Sequence, residues 1–299
     1  MGGYVPPFFF MATDSLLREI AQRLPGETPA LDAQVLLAHV LGRERSWLLA
    51  HPETIPTPTQ QTALEAAVRH LQDGTPLPYI LGHWEFFGLD FEVTPNVLIP
   101  RPETELLVET ALRWIRNNPA RSGHRLLDVG TGSGCIAVSL AVHAPDAQII
   151  ATDISPAALA VAQRNAHRHG VQERVRFMEC DLLTPVLSEG LQAMSLDPST
   201  FDLIVANLPY IPSGTLEGLA VYKVEPDVAL YGGADGLELI RRLLGELSER
   251  TRPECLILLE IEAGQGRAAR ALAEAAFKGA NVEIKKDLAG HDRLVVIQT

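Results

Sequence analysis

From residue 125 to the end of the chain, short apolar runs alternate with helix-period runs, and the first junction between them is rich in glycine. That junction reads Leu126-Leu127-Asp128-Val129-Gly130-Thr131-Gly132-Ser133-Gly134, with a helical pattern from Cys135. A strand, a sharp turn and a helix start are expected there. Glycine lets the backbone bend and approach a ligand closely, and the first N–H groups of the new helix stay free to meet it. Further strands are expected at residues 148–152, 175–178, 201–206 and 255–261, and late ones at 282–285 and 294–297. Helices are expected at 134–142, 156–167, 237–249 and 266–277, with Ser155 capping the second and Pro156 opening it. Such alternation predicts an α/β fold, a doubly wound, mostly parallel sheet with helices on both faces. Ligands bind such sheets outside the carboxyl ends of the strands, where the strand order reverses. Residues 188–200 are weakly patterned and read as a surface loop.

The chain ahead of this region has a different character. Its 299 residues leave room for about two domains. With 46% hydrophobic and 21% charged residues, the composition is that of a soluble globular protein with a sizeable core. Residues 14–74 are helical in pattern: Leu16, Leu17, Ile20 and Leu24 share a face, and Thr57 and Pro58 open a later helix that stops at Asp73-Gly74. Arg43, Arg45 and Trp47 read as a solvated turn with a packed tryptophan. Residues 85–99 read as a hairpin interrupted by Gly88 and Pro95-Asn96, followed by a helix over 103–115 with Pro102 in its first turn. The expected division is a helical domain at 1–75, a β-hairpin linker at 76–102 and the α/β domain at 103–299. The first ten residues are apolar but short, contain Pro6 and Pro7 and lack a basic start, so no signal peptide is expected, and Met1 and Met11 stand as alternative natural starts. No run is long enough to span a membrane.

Charge and cysteine usage narrow the partners. A net charge of −12 argues against a large RNA footprint. Cys135, Cys180 and Cys255 are far apart and odd in number, which fits neither a disulfide framework nor a zinc site, and points to a reducing cytoplasm. Cys135 reads as a small buried residue near a ligand. His167 and His169 are two apart and do not share a helix face, so no metal is expected.

The glycine turn is G-x-G-x-G, and Cys135 stands where a dinucleotide fingerprint wants its last glycine. A P-loop lysine is absent. Asp153 ends the next strand, where its carboxylate suits both hydroxyls of a ribose, whichever adenosine cofactor carries it. Asp181 ends the third, and with Leu182 as a flat apolar wall it could clamp an adenine; a turn cap is the competing reading. Asp128 suits a cationic sulfonium better than a pyrophosphate, which favours S-adenosylmethionine over a dinucleotide.

A second signature, Asn207-Leu208-Pro209-Tyr210, follows the strand at 201–206. Pro209 keeps Leu208 out of the helical region, so the loop is extended. Asn207 and a Leu208 or Pro209 carbonyl are acceptors for a planar –NH2 group, and Tyr210 offers it a flat face. An amide nitrogen is a poor nucleophile because its lone pair is delocalised. Holding both hydrogens aims it and favours a partly pyramidal transition state. Taken alone the tetrapeptide is a proline turn after a strand; the glycine turn upstream gives it a partner.

With these motifs the chain resembles the class I S-adenosylmethionine-dependent methyltransferases, and within them the protein-(glutamine-N5) methyltransferases of peptide chain release factors, the HemK/PrmC family. The resemblance rests on Glu85-Phe86-Phe87-Gly88, Leu98-Ile99-Pro100-Arg101-Pro102-Glu103-Thr104-Glu105, the glycine turn, Asn207 to Tyr210, Glu260-Ile261-Glu262-Ala263-Gly264-Gln265 and Asp287-Leu288-Ala289-Gly290-His291-Asp292-Arg293. It implies cofactor contacts at Gly130, Thr131, Gly132, Ser133, Gly134, Asp153, Asp181, Leu182 and Asn207. It implies substrate contacts at Asn207, Leu208, Pro209 and Tyr210, with Asn207, Pro209 and Tyr210 serving catalysis. The implied substrate is the glutamine of the Gly-Gly-Gln motif of class 1 release factors, bound by a monomer in the cytoplasm without nucleic acid, metal or membrane. The helical domain is expected to recognise the factor. The family's usual second residue in the tetrapeptide is proline, and Leu208 departs from it; RNA adenine dimethyltransferases also carry Asn-Leu-Pro-Tyr. The competing readings are methylation of a ribosomal-protein glutamine or an RNA adenine amine, a non-catalytic S-adenosylmethionine-binding module, and a nicotinamide dehydrogenase.

Overall fold

The computed structural model describes residues 11–118, 123–186, 196–216, 218, 224–248 and 250–299. The ten residues read as lacking a signal peptide, and residues 188–195 of the expected surface loop, lie outside that set. The chain divides into two compact units, Met1–Gly82 and His83–Thr299.

The first unit is helical: α1 (Thr13–Arg23), α2 (Pro29–Leu41), α3 (Arg45–Ala50), α4 (Pro58–Gln72) and α5 (Leu77–Leu81). Helix α4 starts where Thr57 and Pro58 predict. The Gln60 N–H donates to Thr57 Oγ1, and the Thr57 N–H donates back to Gln60 Oε1 at 2.9 Å, a reciprocal cap. Leu16, Ile20, Leu36, Leu37, Leu64 and Val68 form its fully buried core. Arg23 grips the buried Glu65 with two nitrogens at 2.9 and 2.7 Å. Two expectations fail here. The segment read as a turn at Arg45 and Trp47 is α3, where Trp47 stacks on His51 at 4.3 Å and the Arg43 guanidinium lies over its ring. The first unit also extends past residue 75, because α5 buries Leu77 and Leu81 and ends at Gly82 with φ 74°.

The second unit opens with a hairpin, β1 (His83–Phe86) and β2 (Leu89–Glu92). Phe87 and Gly88 both have positive φ, 53° and 73°, as a two-residue turn that follows strand twist requires. The expected hairpin over 85–99 is therefore shorter and earlier. Residues 93–101 form no strand, and Pro95 and Pro100 lack the N–H a ladder needs. A 3-10 turn, Pro102–Thr104, leads into α6 (Glu105–Asn117).

The sheet has β3 (Arg125–Val129), β4 (Gln148–Asp153), β5 (Val175–Asp181), β6 (Thr184–Pro185), β7 (Leu203–Ala206), β8 (Leu256–Glu260), β9 (Asn281–Lys286) and β10 (Asp292–Gln298). Their order is β6-β5-β4-β3-β7-β8-β10-β9. Strands β5, β4, β3, β7 and β8 run parallel, and β6, β10 and β9 pair antiparallel at the edges. The helices are α7 (Cys135–His143), α8 (Pro156–Arg168), α9 (Ser213–Leu216), α10 (Glu238–Leu247) and α11 (Gly266–Ala276). Alternate residues face two separate cores. Leu126, Leu203 and Leu258 pack with Leu107, Ile136 and Phe91 on one side. Leu127, Ile204 and Leu259 pack with Leu243, Leu244 and Ala273 on the other. The chain leaves β3 toward β4 and β5, then returns to lay β7 on the other side of β3. The resulting crevice lies at the carboxyl ends of β3 and β7. Among the described residues no helix is long and apolar enough to cross a membrane.

Candidate active site

The glycine turn is shaped by three left-handed residues, Gly130, Gly132 and Gly134, at φ 76°, 56° and 80°. Both Gly130 and Thr131 donate their N–H to Thr152 O at 2.8 Å, stitching the turn to β4. A Cβ on Gly130 would stand 3.0 Å from Leu208 Cδ2, and one on Gly134 would stand 3.0 Å from Ala162 Cβ. The turn is therefore pressed between the acceptor loop and α8 and tolerates little more than hydrogen at either place.

Asp153 supports the turn as well as facing the crevice. Its Oδ2 accepts the Gly132 N–H at 2.8 Å and its Oδ1 accepts the Ser155 N–H at 2.9 Å. Burial raises its pKa above the ordinary carboxylate value, against the backbone donors of Ser155, Gly132 and Ile154 that lower it. Asp128 lies beneath the turn, fully buried, and accepts from Thr131 Oγ1 at 2.7 Å. Burial pushes its pKa up to about 7, with Thr131 opposing and Asp153 adding to the rise. A carboxylate in that place braces the turn and does not line the cavity, so the sequence argument from Asp128 to the cofactor is corrected. Cys135 opens α7 buried, its thiol pushed up to about 12 by burial, and all three cysteines are free.

A cavity of about 290 Å³ occupies the crevice. Gly130, Thr131, Gly132, Ser133, Asp153, Asp181, Leu182, Asn207, Leu208 and Pro209 all line it, which brings together most of the sequence-derived site. Gly134 and Tyr210 do not. Gly134 is spent as the α7 cap against Ala162. Tyr210 is held by its backbone, its carbonyl accepting from Gln265 Nε2 at 3.0 Å, and burial pushes its phenol up to about 12. Asp181 is neither free nor a helix cap: Arg242 binds it at 2.7 Å. Leu182 holds positive φ, 54°, and its carbonyl accepts from Thr152 Oγ1.

At the other wall, Asn207 follows β7 and its Nδ2 donates to Thr104 Oγ1 at 3.0 Å. An amide whose nitrogen is so engaged presents its oxygen, Oδ1, on the opposite side. Two wall residues outside the sequence-derived site are Thr104 and Arg101; Arg101 pairs at 2.6 Å with the buried Glu225. Thr104 and Arg101 lie within the 98–105 motif, where their spacing gave no hint of role. Ile154, following Asp153, is 47% exposed at the cavity, and no periodic pattern in the chain marks it.

Residues 15–82 match the family described as PrmC N-terminal domain, and residues 120–243 match a methyltransferase domain. The chain is 43% identical to the release factor glutamine methyltransferase of Moorella thermoacetica, over 95% of this chain and 97% of that protein. It is 39% identical to that of Nitratidesulfovibrio vulgaris, over 94% and 92%. The chain belongs to the release factor glutamine methyltransferase family. That of Bordetella pertussis is 43% identical over 89% of this chain and 93% of its own. The hMettl16 catalytic domain superposes with a TM-score of 0.52 at 12% identity, over 81% of this chain and 82% of that one, a likeness of fold.

Release factor glutamine methyltransferases are S-adenosylmethionine-dependent enzymes, and the cavity fits that cofactor. Leu182 and Ile154 give the cavity apolar wall and Asp153 gives it a carboxylate. The two arginines on the wall, Arg101 and Arg242, are paired with Glu225 and Asp181, so among the described residues no unpaired cation lines the cavity. Among the described residues, no group of three or more His, Cys, Asp and Glu could hold a metal ion.

Proposed function

We propose that this protein transfers a methyl group from S-adenosylmethionine to the side-chain amide nitrogen of a glutamine in class 1 peptide chain release factors, that of the Gly-Gly-Gln motif. The observation that carries the reading is the Asn207 carboxamide, fixed at the cavity wall by Thr104 with its acceptor end left for a donor. When bound, S-adenosylmethionine supplies an electrophilic methyl group on a sulfonium. Gly130, Thr131, Gly132, Ser133 and Asp153 would hold it, with Asp181 and Leu182 at its base. Asn207 Oδ1 and a carbonyl of Leu208 or Pro209 accept the two amide hydrogens and aim the nitrogen. The N–C bond would form as the S–C bond broke, with the electron pair left on sulfur. The nitrogen becomes acidic only then and releases its proton to water, so no strong base is needed. Tyr210 holds the loop from beside the cavity.

We read the acceptor as protein because the chain carries a net charge of −12, which repels RNA phosphates. We place the enzyme in the cytoplasm, where its three buried free thiols persist, and read it as a monomer. The helical unit would grip the factor away from its glutamine. The test is label transfer from methyl-labelled S-adenosylmethionine to a purified release factor and to a variant lacking the Gly-Gly-Gln glutamine. Label on the first alone is expected. Label on neither, with cofactor binding intact, overturns the acceptor.

A further inference from the structure

Asn165 stands in the third turn of α8, fully buried and off the cavity wall. A buried carboxamide must have its donors and acceptors met. Its Oδ1 accepts the Glu92 N–H at 2.7 Å. Its Nδ2 donates to Glu92 O at 3.0 Å and to Ser133 O at 2.9 Å. The amide can sit only this way round, because the Glu92 N–H needs an acceptor and the two carbonyls need donors. One side chain thus joins backbone groups of two separate segments.

Both segments lead into the cavity wall. Ser133 lies in the glycine turn, and the chain past Glu92 supplies Asn96, Val97, Leu98 and Pro100 to the same wall. Helix α8 brings a third part, since its cap Ser155 and, in its first turn, Ala158 also line the cavity. Ala158, Ala162 and Asn165 follow the i, i+4, i+7 spacing of a single helix face. On that face Ala162 meets Gly134 and Asn165 holds Ser133. The spacing of these walls is therefore set by a helix rather than by the loops themselves. Next to Asn165, Arg164 binds the Glu92 carboxylate with Nε and Nη2 at 2.7–3.0 Å. That partly exposed pair holds the end of β2 to α8 and leaves the glycine turn to Asn165.

We propose that Asn165 is a positioning residue for the cofactor: by tying Glu92 to Ser133 it fixes, before any ligand arrives, the spacing of the walls that would hold S-adenosylmethionine. This rests on the reading above that the glycine turn holds the cofactor. A turn already in place need not be ordered on binding, whereas a loosened one must be, at the expense of affinity. Asn165 touches neither cofactor nor substrate in this role.

The test compares the full-length parent with Asn165→Ala and Arg164→Ala. Asn165→Ala is expected to weaken S-adenosylhomocysteine binding about tenfold or more by calorimetry. The KM for S-adenosylmethionine rises alike, while kcat at saturation stays within about threefold. Arg164→Ala, which cuts the surface pair alone, keeps the affinity within about twofold. A second readout needs no ligand. The Ser133 carbonyl-carbon and Gly134 amide signals, which belong to one peptide group, should move in Asn165→Ala and stay in place in Arg164→Ala. A lowered melting temperature with unchanged affinity in Asn165→Ala would leave Asn165 a packing role only and overturns the proposal. Equal weakening in Arg164→Ala, or unmoved Ser133 and Gly134 signals in Asn165→Ala, overturns it too. Should Asn165→Ala fail to fold, hydrogen exchange in the parent decides. The Asn165 side-chain amide hydrogens should be protected without ligand, and free exchange until S-adenosylhomocysteine is added overturns the proposal. A parent that binds S-adenosylhomocysteine with no shift of the signals from Gly130 to Gly134 refutes the placement of the cofactor, and the role of Asn165 with it. A parent that binds it and methylates no release factor refutes the proposed acceptor alone, and the affinities still decide the role of Asn165.

Discussion

Asp153 reaches back across the crevice to the glycine turn, its Oδ2 accepting the Gly132 N–H at 2.8 Å. The carboxylate that ends β4 thus shapes the turn that follows β3. Replacing it by alanine removes two backbone hydrogen bonds and, on the proposed function, the carboxylate that would meet the ribose. Hydrogen bonds to a charged group contribute about 1.5–3 kcal/mol each, so Asp153→Ala is expected to weaken S-adenosylmethionine binding by about 10- to 100-fold. Calorimetric titration measures it, and an unchanged affinity refutes the role.

Asn207 is the reverse case. Asn207→Ala is expected to lower kcat about 100-fold or more, on the scale of losing one preorganised hydrogen-bonding group, while cofactor affinity changes only a few-fold. Parallel loss of binding and turnover would remove Asn207 from the acceptor role.

The Gly130–Leu208 contact gives a prediction in stability. Gly130→Ala places a Cβ 3.0 Å from Leu208 Cδ2 at φ 76°. Strain of this kind costs about 1–3 kcal/mol. In Gly130→Ala/Leu208→Ala the clash is gone and the φ strain remains, so thermal denaturation should show partial recovery relative to the sum of the two single variants. Strict additivity would mean that the two side chains do not meet. Leu208 is 4% exposed and forms part of the core beneath the turn.

Two buried carboxylates predict how stability varies with pH. Asp128 and Glu260 both titrate at about 7 in the folded chain, against ordinary values of 3.8 and 4.5. Between those values and about pH 7 the folded chain binds more protons than the unfolded one, so stability falls as pH rises through that window. The melting temperature of the parent should drop from about pH 5 to pH 7.5, more shallowly in Asp128→Asn and Glu260→Gln. Equal slopes in all three proteins would refute this assignment.

How much of this was legible in the sequence follows from distance along the chain. Gly130 to Gly134, Asp153 and Asn207 to Pro209 could be read because each sits at the end of an apolar run, and strand ends are local signals. Thr104 and Asn207 are 103 residues apart, and their hydrogen bond exists only because the 3-10 turn before α6 lies at the end of β7. The same holds for Asp181, whose partner Arg242 comes from α10. Asp128 was misread because a strand position gives its residue a face of the sheet but not its depth. Tyr210 and Gly134 belong to motifs whose other members line the cavity, whereas Gly134 packs on Ala162 and the Tyr210 backbone is held by Gln265.

The helical unit supplies a prediction about the partner. Removing residues 1–82, up to the structural break, should raise KM for an intact release factor far more than for a short Gly-Gly-Gln peptide. Initial-rate kinetics on both substrates measure it, and equal increases would end the idea that this unit recognises the factor.

Gln265 donates from one nitrogen to Tyr210 O and Gly236 O, at 3.0 and 3.2 Å. A Cβ on Gly232 would meet the Tyr210 backbone at 2.7 Å, so the acceptor loop is gripped by chain that comes later. The donor-side residues up to Leu182 are therefore made well before the residue that ties Tyr210 to Gly236. A nascent chain that stops short of residue 265 lacks that tie, so the acceptor loop gains its last anchor only with about the last tenth of translation.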